Sequence, residues 1–227
     1  MDEHSDVDLI VAVLAEHQEA VIADGPALAA SLGPLLACFP GDHLGKASLL
    51  ICLYGPPLLH VDFSFHSLAE TAGLIGKASI LWERDGALTR LAGDQFRGPT
   101  PPIDLQWMED RIWVWLHYGG SKVARGELFE AVDAITFIRG RVLGPLVLAL
   151  HDRPTFGVRR VETVAGQDLS ALRATVAGHD AASCVTALRA IADLYRQLRD
   201  RYATPALVRR SAAEGAVASW LDGLASR

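Results

Sequence analysis

The chain begins MDEHSDVDLIVAV, and Asp6 and Asp8 stand one residue apart at the entry of an apolar run, Leu9 to Leu14. Such a run predicts a buried strand over about 6–14, and side chains two residues apart on a strand share a face. Two carboxylates held that close repel unless a cation offsets their charge or water surrounds them. A solvated acidic chain start accounts for the pair equally well. A second stretch, LLHVDFSF, supplies a third acid. Val61, Phe63 and Phe65 alternate with His60, Asp62 and Ser64, so the apolar set faces a core and Asp62 the opposite side. An aspartate within so apolar a strand needs a reason. It is either an edge strand with one wet face or a third hard oxygen ligand for an ion shared with Asp6 and Asp8.

Two other uses of the pair fail on spacing. A calcium loop needs a glycine and a closing glutamate that are not in place here. A phosphatase-type aspartate nucleophile follows its hydrophobic strand, whereas here the apolar residues come after the acids.

The elements that must hold these residues emerge from the rest of the pattern. Asp24-Gly25-Pro26 opens a predicted helix from Pro26 to Phe39. Strands are predicted over about 47–54 and 58–65, joined by the Tyr54-Gly55-Pro56-Pro57 turn, and over 78–83 (ASILWE), before a turn at Arg84-Asp85-Gly86. FRGPTPPIDL (96–105) reads as a linker. Beyond it, LQWMEDRIWVWLHY is helical, with Gly119-Gly120 expected to break it and Ser121 to cap the next helix. Leu128, Ala131, Val132, Ile135, Ile138 and Val142 mark an amphipathic helix, as do Val185, Leu188, Ile191, Ala192, Tyr195 and Leu198 within 181–202. A last helix is expected from about Glu214 to Ala225. The fold class is therefore α+β: a mixed-sheet domain over 1–97, then an all-helical bundle of four or five helices over 103–227.

Composition bounds the function. Half of the 227 residues are hydrophobic, which supports a sizeable core and argues against disorder. The net charge of −6 argues against a nucleic-acid partner. Cys38, Cys52 and Cys184 are far apart, with no CxxC, which predicts a reducing, cytoplasmic setting and no zinc site. The first residues are acidic rather than basic, so no signal peptide is expected. The longest apolar stretch, Val142 to Leu150, falls far short of the roughly 20 residues that span a membrane.

SDVDLIV followed by LLHVDFSF resembles the nucleotidyltransferases of the DNA polymerase beta superfamily, and among them most the single-chain bacterial aminoglycoside enzymes. The motifs cover about the first 65 residues. GSKVARGELFEAVDAI is similar to a helix those enzymes place across the cleft. The resemblance implies that Asp6, Asp8 and Asp62 are metal ligands for Mg²⁺. It implies that a nucleoside triphosphate, expected to be ATP, gives its nucleotidyl group to a hydroxyl of a small molecule and releases pyrophosphate. Asp62 would ligate the nucleophile-side metal or take the hydroxyl proton, two roles the sequence leaves open. Lys122 and Arg125 are candidate phosphate contacts from the helical half, and Glu127 a candidate general base there, with the cleft between sheet and helices as the expected site. A solvated helix face explains the same three residues. His60, the tryptophans at 107, 113 and 115, and Arg159-Arg160 are expected to be structural or solvated.

Members of that superfamily carry a Gly-Ser turn about a dozen residues before the aspartate pair. Met1 stands five residues before Asp6, and Gly120-Ser121 is misplaced for the purpose. The expectation is weak ATP binding, an uncovered apolar sheet edge that favours a homodimer, and a second functional reading beside the first: a non-catalytic or truncated member acting as a binding or regulatory protein.

Overall fold

The alternation in VDLIVAV and LHVDFSFHS builds the centre of a four-stranded sheet. In the computed structural model, which describes residues 4–74, 78–91 and 103–225, β1 (Val7–Val13) lies parallel to β4 (Leu59–Ser67). Strand β4 pairs antiparallel with β3 (Lys46–Tyr54), and β3 with β2 (Leu35–Gly41), giving the mixed order β1-β4-β3-β2. The chain divides into two units, Met1–Gly98 and Pro99–Arg227. Of the expected linker over 96–105, residues 96–102 lie outside the described residues.

One face of the sheet is covered. Helices α1 (Gln18–Ala23) and α2 (Gly25–Leu32) pack on it, and the core there joins Ala29, Leu50, Cys52, Tyr54, Val61, Phe63 and Phe65, with Val7, Leu9, Val11 and Cys38 against them. The Tyr54 hydroxyl donates to the Ala29 carbonyl at 2.8 Å, so its polar tip is satisfied within this core. Burial, with Cys38 and Asp62 alongside, pushes the Cys52 thiol up to about 11.

Two expectations for this unit are corrected. The helix predicted over Pro26–Phe39 stops at Leu32, and 35–41 is strand β2. Gly33-Pro34 explains the change: proline has no amide hydrogen to donate within a helix and restricts the residue before it. The strand predicted over 78–83 does not form. Leu81 and Trp82 stand 81% and 73% exposed, and β-forming residues without a neighbouring ladder have nothing to pair with. The described residues of this unit also form two short helices, α3 (Leu68–Thr71) and α4 (Ala87–Leu91). Ser67 and Glu70 form a reciprocal capping box at the start of α3.

The second unit is all helical. Among the described residues it contains α5 (Leu105–Ala124), α6 (Leu128–Ile138), α7 (Gly144–Leu150), α8 (Leu169–Ala174), α9 (Ala181–Tyr202) and α10 (Ser211–Ala225). That is one more than the sequence pattern allowed, because α6 and α7 are joined by a π-helical turn, Arg139–Leu143, and α8 was not foreseen. Pro145 lies in the first turn of α7 and removes a ladder donor, and a widened turn accommodates the loss. None of the described helices is long and apolar enough to cross a membrane.

Gly119-Gly120 does not break α5, which runs through both. Their role is close packing. A β-carbon on Gly120 would lie 2.5 Å from the Trp220 ring of α10, and one on Gly119 would lie 3.1 Å from Leu188 of α9. Ser121 is no cap either: its hydroxyl donates to the His117 carbonyl one turn back. Gly120→Val is therefore expected to push α10 away and to destabilise the helical unit by about 1–3 kcal/mol, the usual range for overpacking. Denaturant unfolding of the variant followed by tryptophan emission checks it, and an unchanged midpoint would contradict the packing argument.

Candidate functional site

Parallel pairing of β1 with β4 sets Asp8 directly beside Asp62. Val7, Leu9 and Val11 pair with Val61, Phe63 and Phe65 on the helix-covered face, so Asp8 and Asp62 share the other. Adjacent strands are about 4.8 Å apart, and in-register side chains on one face are neighbours. The mean separation is short enough for both carboxylates to reach one cation. Asp6 lies one residue before β1 and is exposed, as is Asp8. The structure thus brings Asp8 and Asp62 together and leaves Asp6 outside the ladder. Among the described residues no group of three or more His, Cys, Asp or Glu side chains is assembled to hold a metal.

Asp62 has a partner to which the sequence pattern assigned no function. His60 Nε2 donates to Asp62 Oδ1 at 2.9 Å, with the Asp62 side chain 21% exposed and His60 half exposed. The two are neighbours on the same face of one strand, and that i, i+2 spacing in HVD was the signal for the contact. Across β3, Ile51 stands opposite Asp62 and Leu53 opposite His60, so the acid sits beside an apolar row that ends in exposed Leu53 and Phe39.

The donor set fits a hard cation in part. Magnesium takes one or two carboxylates and fills its other positions with water and phosphate oxygens. Asp8 and Asp62 meet that pattern. The three-carboxylate cluster expected with Asp6 is not assembled among the described residues.

The other candidates gather in the helical unit, at the turn between α5 and α6. Gly126 has φ +75°, a conformation glycine adopts without strain, and it ends α5. The Glu127 amide then donates back to the Lys122 carbonyl at 3.0 Å, which folds Glu127 against the last turn of α5. Lys122 Nζ reaches Glu127 Oε2 at 2.7 Å and Glu130 Oε2 at 3.0 Å. It also lies 5.1 Å from the centre of the Tyr118 ring, whose hydroxyl donates to Glu130. Arg125 stands 4.0 Å from Glu127 and is largely exposed.

So Lys122, Arg125 and Glu127 do come together, with Tyr118 and Glu130, which the sequence pattern did not single out. Tyr118 and Lys122 are four residues apart on α5, the spacing that places them on one face. Hydrogen bonds that it donates to Glu127 and then to Glu130 hold the Lys122 ammonium above its ordinary range. The Tyr118 hydroxyl, ahead of Lys122, holds the Glu130 carboxyl below its own. The ammonium is already matched by two carboxylates, so a phosphate must displace one of them to use it. Arg125 is more exposed and more distant from its acid, so it is the less engaged of the two cations.

No family model matches the chain, and no curated protein matches it by sequence. Among solved structures, an aminoglycoside 6-adenyltransferase from Bacillus subtilis is similar, with 13% identity and a TM-score of 0.44 over 96% of this chain and 88% of that one.

Proposed function

We propose that this chain is a Mg²⁺-dependent nucleotidyltransferase that moves a nucleotidyl group from a nucleoside triphosphate, ATP first among them, to a hydroxyl of a small molecule such as an aminoglycoside. The observation that carries this reading is the in-register placement of Asp8 and Asp62 on one face of a mixed sheet. When bound, the cation would supply charge neutralisation to the phosphoryl oxygens during in-line displacement. Asp8 and Asp62 would hold it. With Oδ1 engaged by His60, the Asp62 carboxylate is oriented, and Oδ2 is the oxygen to accept the proton of an acceptor hydroxyl. Arg125 is the proposed phosphate contact of the helical unit. Glu127 would serve as a base there only after releasing Lys122.

Pyrophosphate release with Mg²⁺, ATP and a panel of hydroxylated acceptors tests the proposal. Turnover that needs both cation and acceptor is the expected result. Absence of Mg²⁺–nucleotide binding by calorimetry would end it. That outcome would favour the second reading, a binding or regulatory protein. The engagement of Asp62 Oδ1 by His60, which a cation would have to displace or share, is the observation that favours it.

A further inference from the structure

We propose that Cys38 and Cys52 form a redox-responsive dithiol, a covalent modification site that closes into a cross-strand disulfide between β2 and β3. The two residues lie far apart in sequence, and the fold brings them face to face. They are directly paired in the antiparallel ladder, with Phe39–Ile51 next in register. Both belong to the helix-covered face, where Cys52 is part of the core and Cys38 packs against it. Both are free thiols, and Cys184 lies in the other unit.

The geometry suits the bond. Opposed residues of an antiparallel pair have Cα atoms about 4.5–5.5 Å apart, within the roughly 4.4–6.8 Å range of disulfides. Their β-carbons, on one face, are separated by about 4.5–5.5 Å before any adjustment, against roughly 3.5–4.5 Å in a disulfide. The remaining closure is small, and β2 can supply it. It is paired on one side only, and its register shifts at both ends, between Leu35 and Ala37 and between Pro40 and Gly41. Such irregular edge strands bend more readily than a central one.

The roles of the two sulfurs differ by access. Cys38 is half-buried and Cys52 is buried, 1% exposed. With a low-molecular-weight disulfide as oxidant, the Cys38 thiolate attacks one of its sulfurs, breaks the S–S bond and expels one small thiol. The Cys52 sulfur then attacks Cys38 Sγ, and its proton passes to the second small thiolate as that leaves as a thiol. The protein dithiol is oxidised to one disulfide, and the small disulfide is reduced to two thiols. The product ties the edge strand to β3, whose Ile51 stands opposite Asp62.

Incubation of the full chain with oxidised glutathione, followed by intact-mass and non-reducing peptide analysis, tests this. The expected result is the loss of two hydrogen masses, a crosslinked peptide pair containing Cys38 and Cys52, and a fall in titratable thiols in denaturant from three to one. Cys184→Ser should still form the crosslink. Cys38→Ser should abolish it and leave no stable glutathione adduct on Cys52. Glutathione adducts on Cys38 without a crosslink would overturn the proposal. So would a crosslink that includes Cys184, or one that forms only after the chain is unfolded in urea.

Discussion

Asp62→Asn is expected to lower Mg²⁺-dependent pyrophosphate release by about a thousandfold while leaving the fold intact. Cation-supplied charge stabilisation in such reactions amounts to several kcal/mol, and each 1.36 kcal/mol is about tenfold in rate. Asparagine keeps the shape of the side chain, and its carbonyl oxygen can still accept from His60 Nε2. What is lost is the charge beside Asp8 and the oxygen that would receive the acceptor proton. Asp8→Asn should weaken Mg²⁺ binding comparably, since it removes the other paired carboxylate. His60→Ala should act less strongly, because it frees Oδ1 without removing it. Unchanged thermal unfolding would separate these effects from damage to the sheet. Activity of Asp62→Asn within a few-fold of the parent would remove Asp62 from the chemistry. If the parent shows no turnover, Mg²⁺ titration of the same variants decides whether the two acids hold an ion at all.

How much of this is legible in the sequence differs by element. Strand β4 can be read directly, because Val61, Phe63 and Phe65 alternate with polar residues and one face is buried. Its parallel pairing with β1 cannot, since register is a tertiary property; only the apolar runs hint at it. Strand β2 reads as helix because Leu35, Leu36, Ala37 and Cys38 form helices as readily as strands, and the break at Gly33-Pro34 is easily passed over. Gly119-Gly120 misleads because propensity argues for a break, while packing against Trp220 and Leu188 wins. Lys122 and Glu127 stand out by their types. Their mutual neutralisation rests on the turn at Gly126 and on Glu130, which no local spacing from Lys122 singles out.

Glu109 escaped the sequence pattern altogether, although it occupies the apolar stripe of Leu105, Met108, Ile112 and Leu116, where a carboxylate requires partners. It is fully buried and has them. The Tyr195 hydroxyl donates at 2.6 Å, the Arg210 amide at 2.9 Å and Trp113 Nε1 at 3.3 Å, with Arg199 Nη1 at 3.3 Å. Arg199 in turn holds Glu214 at 2.7 Å, and Arg196 holds its other oxygen. Glu109→Ala removes the acceptor of all four donors at once, and breaking a buried charge pair typically costs about 3–5 kcal/mol. We expect that loss in the helical unit, read by denaturant unfolding followed by the helical circular-dichroism signal. Glu109→Gln, which keeps one carbonyl acceptor, should recover part of it.

The same network fixes the pH dependence. Burial alone would raise the Glu109 carboxyl, but bonds from Tyr195, Arg210 and Trp113 and the charge of Arg199 outweigh it and hold the group below its ordinary 4.5. Burial likewise opposes, and Arg199 and Arg196 overcome, the same shift at Glu214. A carboxylate lowered in the folded state binds fewer protons there than in the unfolded chain. Its contribution is present above about 4.5 and is lost as pH falls through the lower, folded value. The parent should therefore unfold its helical unit progressively more easily below pH 4.5, and Glu109→Gln should show a shallower decline. Equal slopes in the two proteins, or a parent midpoint that does not move in acid, would show that the buried carboxylate does not hold this unit together.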